Sequence, residues 1–211
     1  RDHGQTLDEA FLYWDYLFSG IHREPDGTVV RGESVRPRVG DAFAMAFSAG
    51  YRTCWFENRL RPLAAAPVQW QKLKYHGLNG GQIVRGDYLC VPLSFLAKAV
   101  GAEYLPGEDA LTVTLKLPDG REVQFARGSI GCIVDDTLRS MYCEALHREG
   151  ELLVSVEWFC KYLFSYHVST CNGVVYVTDH FVDLSFFMAD LIKDLFAGNA
   201  MPEDFTNIVI E

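Results

Sequence analysis

The chain has 211 residues, of which 49% are hydrophobic and 22% are charged, a composition typical of globular proteins that bury a core. Its formal net charge of −9 argues against nucleic acid or an anionic membrane surface as a partner, because like charges repel at long range. The sequence contains no apolar run of roughly eighteen residues, so it predicts no membrane insertion.

Residues 1–38 are predicted to form a helix followed by a linker. The helix covers residues 7–18, where Leu7, Phe11 and Trp14 recur at helical spacing. This stripe of apolar side chains indicates an amphipathic helix that covers a sheet.

The middle of the chain contains an internal repeat. The segment from Gly86 aligns without gaps with the segment from Gly150, at an offset of 150 − 86 = 64. An upstream match joins Phe47 to Phe125 at an offset of 125 − 47 = 78. Because 78 − 64 = 14, the first copy carries fourteen extra residues, which we place within residues 67–85.

The two copies, residues 39–115 and 116–179, have the same order of predicted elements. A strand and an acidic turn come first, then a strand that leads into a helix, then a hairpin and a last strand. In the first copy Pro92 suits the first turn of the helix, and Gly101 is placed to end it in the left-handed conformation. Each copy is therefore predicted to be a small antiparallel sheet packed on a helix.

Residues 180–211 are predicted to form a second amphipathic helix, over residues 181–196, followed by a tail without a clear pattern. Leu184, Met188 and Leu191 form part of its apolar stripe. The predicted fold class is α+β: two repeated units of small antiparallel sheet packed on a helix, with flanking N- and C-terminal amphipathic helices.

A short motif in the first copy resembles a known family. Residues 91–102 read V-P-L-S-F-L-A-K-A-V-G-A and precede a T-V-T-L strand, a pattern similar to the N-terminal stalk domain of copper amine oxidases. The second copy departs from this pattern, since Ser155-Val156-Glu157 replaces V-P-L and Ser165 replaces the glycine.

The resemblance implies a non-catalytic module of a bacterial protein that is extracellular or attached to the cell surface. It does not imply amine oxidation, because the copper and quinone chemistry of that family belongs to a separate catalytic domain. The chain has neither an H-x-H ligand pair nor the Asn-Tyr-(Asp or Glu) motif.

Catalytic, metal and cofactor sites are not predicted. Ser48 lies in a partial match to the nucleophile elbow G-x-S-x-G, but the leading glycine is missing and the second copy has Ala126 in the equivalent position. The histidines are scattered, with no pair at i, i+4 on one helix.

The six cysteines lack the C-x-x-C spacing of redox and zinc sites and lie mostly in apolar runs. We expect buried free thiols, although six cysteines also suit three disulfides. Because Cys54 and Cys132 are repeat equivalents, both are predicted to be buried and not bonded to each other. A bond between Cys132 and Cys143 remains open.

The candidate partner-binding residues are Trp70, Tyr75 and His76, in the segment with extra residues. Exposed aromatic rings there suit a glycan or a protein partner, whereas buried rings would cap the edge of the sheet.

The predicted function is a non-catalytic structural or binding module. The alternative, part of a glycan- or peptide-processing hydrolase, predicts titratable groups that converge in a pocket.

Overall fold

The computed structural model describes residues 21–23, 29–31, 43–57, 59–75, 82–179, 181, 184–198 and 206–210. The predicted helix over residues 7–18 lies outside these ranges. The described strands are β1 (Ile21–Arg23), β2 (Val29–Arg31), β3 (Ala44–Ser48), β4 (Thr53–Phe56), β5 (Arg59–Pro62), β6 (Val68–Tyr75), β7 (Gln82–Pro92), β8 (Glu103–Pro106), β9 (Thr112–Lys116), β10 (Glu122–Ala126), β11 (Gly131–Val134), β12 (Thr137–Ser140), β13 (Leu146–Arg148), β14 (Glu151–Ser155), β15 (His167–Cys171), β16 (Val174–Thr178) and β17 (Thr206–Ile210).

The described helices are short. They are α1 (Leu93–Val100), α2 (Val156–Trp158), which continues as a π-helix over Phe159–Leu163, and α3 (Phe186–Ala197), with a 3-10 turn at Glu108–Ala110. Within the described ranges, no helix has both the length and the apolar character needed to cross a lipid bilayer.

The predicted α+β fold class is wrong, because the described residues form mostly antiparallel sheets. Three sheets have five strands each: β15-β16-β3-β4-β5 (the first sheet), β12-β11-β10-β9-β8 (the second sheet) and β13-β14-β7-β6-β17 (the central sheet). The helices are connections of at most twelve residues between strands. Among the described residues, the sheets therefore define the fold.

Each outer sheet combines strands from both copies of the repeat. In the first sheet, β3, β4 and β5 from the first copy pair with β15 and β16 from the second. In the second sheet, β10, β11 and β12 from the second copy pair with β8 and β9 from the first. Within the described residues, neither the 39–115 range nor the 116–179 range has a five-stranded sheet of its own. These boundaries remain a description of the sequence repeat.

The two copies meet in the central sheet, where β7 runs antiparallel to β14. Val91 pairs with Val154, and Cys90 pairs with Ser155. At the offset of 64, Cys90 is equivalent to Val154 and Val91 to Ser155, so each pair maps onto the other. The register therefore gives the repeat an approximate two-fold axis between β7 and β14.

The last strand of the second copy is two residues out of step with the ungapped sequence alignment. Phe125 pairs with Val113 in the second sheet, and its equivalent Phe47 pairs with Val175 in the first. The structural offset is thus 175 − 113 = 62 rather than 64. A shift of two residues keeps every side chain on its predicted face, because side chains in a strand alternate with a period of two.

The extra residues of the first copy lengthen a hairpin. Strands β6 and β7 stay paired out to Tyr75 and Gln82, whereas the equivalent hairpin of β13 and β14 already closes at Arg148 and Glu151. The longer strand β6 also pairs in parallel with β17.

The largest of three buried clusters lies between the sheets and the helices. Phe47 and Phe125 enter it from the inner faces of the two outer sheets, and Phe95 and Trp158 enter it from α1 and α2. The ring of Phe95 meets that of Phe47 edge to face at 5.7 Å, and the rings of Trp158 and Phe125 meet likewise at 6.3 Å.

The predicted end of the first helix is confirmed. Gly101 has φ = 74° in the left-handed region, and its N–H bonds the carbonyl of Lys98. Ser165, the equivalent residue in the second copy, keeps a positive φ of 55° although it carries a side chain. The backbone geometry is therefore repeated even where the sequence motif is lost.

Candidate functional site

The structure places one side chain of the three predicted binding residues. Trp70 lies in β6, is only 5% exposed, and stacks on Tyr88 with ring centroids 6.0 Å apart. Tyr75 is the last residue of β6, and His76 lies outside the described residues. The burial of Trp70 favours the alternative in which this ring caps the sheet.

The aromatic chain that begins at Trp70 reaches the surface elsewhere. Tyr88 contacts Tyr142 with centroids 5.1 Å apart, and Tyr142 is 41% exposed. Burial raises the pKa of the Tyr88 phenol, so this group stays neutral over the physiological range. Sequence reasoning missed Tyr142 because it comes from the other copy of the repeat and contacts Tyr88 only in the folded chain.

The outer face of the second sheet carries a groove of about 440 Å³. Strands β9, β10, β11 and β12 form its floor and walls. Among the described residues that line it, none carries a charged side chain. These residues are Thr112, Val113, Thr114, Gln124, Phe125, Ala126, Ser129, Gly131, Cys132, Ile133 and Leu138.

One wall of this groove is apolar and the other is polar. Ile133 and Leu138 are 38% and 73% exposed, large values for aliphatic side chains. Thr112, Thr114 and Gln124 supply hydroxyl and amide groups on the opposite side. The groove therefore offers both apolar contact and hydrogen bonding.

The corresponding face of the first sheet is covered by helix α3. Ile192 and Phe196 of α3 belong to a buried cluster with Ala46, Trp55 and Tyr176 of the first sheet. Ser185 caps the helix, since its Oγ accepts a hydrogen bond of 3.2 Å from the N–H of Met188.

The groove occupies the repeat-equivalent position of this covered face. At the offset of 78, Ala46 corresponds to Gln124 and Trp55 to Ile133. At the structural offset of 62, Tyr176 corresponds to Thr114. The same sheet face is thus covered by a helix in one half of the described chain and open in the other.

The groove does not bring together groups for acid–base chemistry. Its only titratable lining residue among those described is Cys132, and burial raises the pKa of that thiol to about 11. Ser48, the partial match to a nucleophile elbow, is buried in the first sheet and donates a hydrogen bond of 3.0 Å to the carbonyl of Gly173.

Metal-ligating side chains do not cluster within the described part of the chain. The Nε2 of His147 lies 2.7 Å from the backbone oxygen of Asp109, a contact that anchors β13 to the 3-10 turn.

The buried carboxylate of Glu157 was not predicted from the sequence. Both carboxylate oxygens of Glu157 accept from the N–H of Leu89, at 3.1 and 3.2 Å, and Oε2 also accepts from the hydroxyl of Ser155 at 3.0 Å. The partner that Leu89 would have in the ladder is Val156, but the chain turns into α2 there. Burial raises the pKa of Glu157 to about 6 despite these hydrogen bonds.

Comparison of the two repeat copies could have identified Glu157 as an unusual buried residue. The first copy has Leu93 at the equivalent position, since 157 − 64 = 93, so an acid stands where the repeat places a core residue.

No protein family model, characterised protein or solved structure matched this chain.

Proposed function

We propose that this chain is a non-catalytic, stalk-like binding module of an extracellular or cell-surface bacterial protein, and that the groove of the second sheet receives an amphipathic helix of a protein partner. The main support for this proposal is that the groove lies on the face of the second sheet that is equivalent to the α3-covered face of the first sheet. The stalk-like character and location rest on the resemblance of residues 91–102.

A helix suits the groove because the two sheets have the same strand order and the same pairing. Thr53 pairs with Pro62 in the first sheet, and their equivalents Gly131 and Ser140 pair in the second. A sheet face with this strand order and register already packs against α3. An amphipathic helix laid into a groove is a common mode of peptide recognition.

The lining favours a protein over the other classes of ligand. Nucleic acids and phosphates need cationic side chains, which the described lining lacks. A glycan site needs exposed aromatic rings. The one aromatic residue of the described lining, Phe125, is only 2% exposed. The hydrolase alternative needs convergent titratable groups, and the groove offers a single thiol with a raised pKa.

The chemistry of the partner follows from the two walls. Its apolar stripe faces Ile133 and Leu138, and its polar flank offers donors and acceptors to Thr112, Thr114 and Gln124. The apolar wall supplies most of the affinity, because side chains that are exposed in the free protein become buried in the complex.

The test uses a displayed library of helical peptides selected against the purified chain. Selected sequences are expected to carry apolar residues at i, i+3, i+4 and i+7. The substitutions Ile133→Lys and Leu138→Lys should each weaken binding about tenfold or more, because each puts a charge against the apolar stripe.

The matched control is Leu105→Lys, at a position on the edge strand of the same sheet that is as exposed as Ile133 but does not line the groove. Binding should change less than about threefold there. The proposal would be contradicted by peptides whose affinity is unchanged by both groove substitutions, or by peptides that bind as extended strands.

A further inference from the structure

Two of the six cysteines are in direct contact. The Sγ atoms of Cys90 and Cys143 lie 3.6 Å apart, and both side chains are buried. Cys90 lies in β7 at the middle of the central sheet, and Cys143 lies in the segment between β12 and β13.

Apolar side chains pack around this pair. Val68, Leu146 and Leu153 pack in the same cluster. Each thiol is within hydrogen-bonding distance of the other.

The geometry points to a disulfide site: Cys90 and Cys143 form a disulfide bond when the protein reacts with a low-molecular-weight disulfide such as oxidised glutathione. A disulfide bond is about 2.0 Å long. The two sulfurs, now 3.6 Å apart, therefore need to approach each other by only about 1.6 Å.

The reaction is a two-step thiol–disulfide exchange. The thiolate of Cys143 attacks one sulfur of oxidised glutathione, forms a mixed disulfide and releases one glutathione thiolate. The thiolate of Cys90 then attacks Sγ of Cys143 and releases the second glutathione. The two cysteines lose two protons and two electrons, and two glutathione thiols gain them.

The order of the steps follows from burial. Cys143 follows the half-exposed Tyr142 in a segment outside the strands, so a local opening exposes it first. Cys90 is held in the middle of a sheet, where the hydrogen bond with the Cys143 sulfur and burial raise the pKa of its thiol. Cys90 is therefore the resolving thiol, and oxidation is faster during folding than in the native state.

The cross-link would join two parts of the fold. It closes a loop from position 90 to position 143, a separation of 143 − 90 = 53 residues, which contains α1 and the whole second sheet. The bond would tie the central sheet to the segment that follows the groove-bearing sheet. Its formation is independent of any partner in the groove.

The test refolds the full chain in a buffer of reduced and oxidised glutathione, alkylates the remaining thiols and maps the peptides by mass spectrometry. The expected product links Cys90 to Cys143 and leaves the other four cysteines alkylated. The melting temperature of the oxidised protein should exceed that of the reduced protein by about 5–15 °C.

The variants Cys90→Ala and Cys143→Ala should lose both the cross-link and the redox dependence of melting. The matched control Cys54→Ala removes a buried free thiol outside this pair and should keep both the cross-link and the redox dependence of melting. Six alkylated thiols in the wild type, or a cross-link from Cys143 to any other cysteine, would overturn the assignment.

Discussion

At the scale of single residues, Glu157 shows how tertiary burial changes the chemistry of a side chain. Its carboxylate replaces a strand partner for Leu89 at the point where β14 becomes α2. The hydrogen bonds favour the charged form, but loss of solvent outweighs them, so the pKa of Glu157 rises from 4.5 to about 6. The folded protein therefore binds this proton more tightly than the unfolded chain does.

The sign of the pH dependence follows directly. The contribution of protonated Glu157 to stability is complete below about pH 4.5 and is lost as the pH rises through about 6. The loss amounts to about 2 kcal/mol. Glu157→Gln should remove this part of the pH dependence and unfold at higher denaturant concentration than the wild type at pH 7.5.

Glu157→Leu, which copies Leu93 of the first repeat, separates titration from hydrogen bonding. It also removes the pH dependence, but it leaves the N–H of Leu89 without its acceptor and should cost about 1–3 kcal/mol relative to Glu157→Gln. An unchanged pH profile in the Gln variant would show that Glu157 is not the titrating group.

At the scale of elements, the hairpin of β6 and β7 illustrates how extra residues were absorbed. The sequence places fourteen additional residues in residues 67–85, and the structure uses them to lengthen two paired strands. This lengthening lets β6 pair with β17 on its other edge. The aromatic residue that looked like a partner anchor, Trp70, became part of the sheet's own packing.

Trp70 should therefore contribute to stability. Trp70→Ala is expected to lower the free energy of unfolding by about 3–5 kcal/mol, because it leaves a large cavity against Tyr88. Trp70→Phe should cost only about 1 kcal/mol, since the indole Nε1 has no hydrogen-bond partner among the described residues. Chemical denaturation followed by fluorescence or circular dichroism measures both.

Tyr142→Ala is the control at the exposed end of the same aromatic chain and should cost less than about 1 kcal/mol. If Trp70→Ala has the same free energy of unfolding as the wild type, the ring does not stabilise the sheet. That result would favour the prediction that Trp70 contacts a partner.

At the scale of the whole molecule, the exchange of strands makes the two copies depend on each other. Each outer sheet needs strands from both residues 39–115 and residues 116–179, and the central sheet joins β7 to β14. The large core also draws side chains from both halves. A half of the chain would expose both the edges of its strands and the apolar faces of its sheets.

Separately expressed fragments covering residues 1–115 and 116–211, which keep α3 and β17, should therefore not be folded monomers. Mixing them should restore a one-to-one complex, because the β3–β16, β9–β10 and β7–β14 ladders join one fragment to the other. Light scattering gives the stoichiometry, and thermal melts followed by circular dichroism give the cooperativity. A cooperative transition in either fragment as a monomer would contradict the exchanged topology.

The sequence alone determined the local geometry of this protein. The repeat, the left-handed end of α1 at Gly101 and the tight turn at Asp135 and Asp136, with φ of 46° and 63°, follow from residue types and spacing. The matched burial of Cys54 and Cys132 was also predicted and is confirmed. These features depend on interactions within a few residues or on the alternation of side chains.

Only the tertiary structure decided which strands pair, which aromatic rings are buried, and which sheet face stays open. Backbone hydrogen bonds are chemically the same for every partner strand, so alternation fixes the buried face of a strand but not its neighbour. The open groove beside Ile133, the contact between Cys90 and Cys143 and the acid at Glu157 all lie where segments far apart in sequence meet.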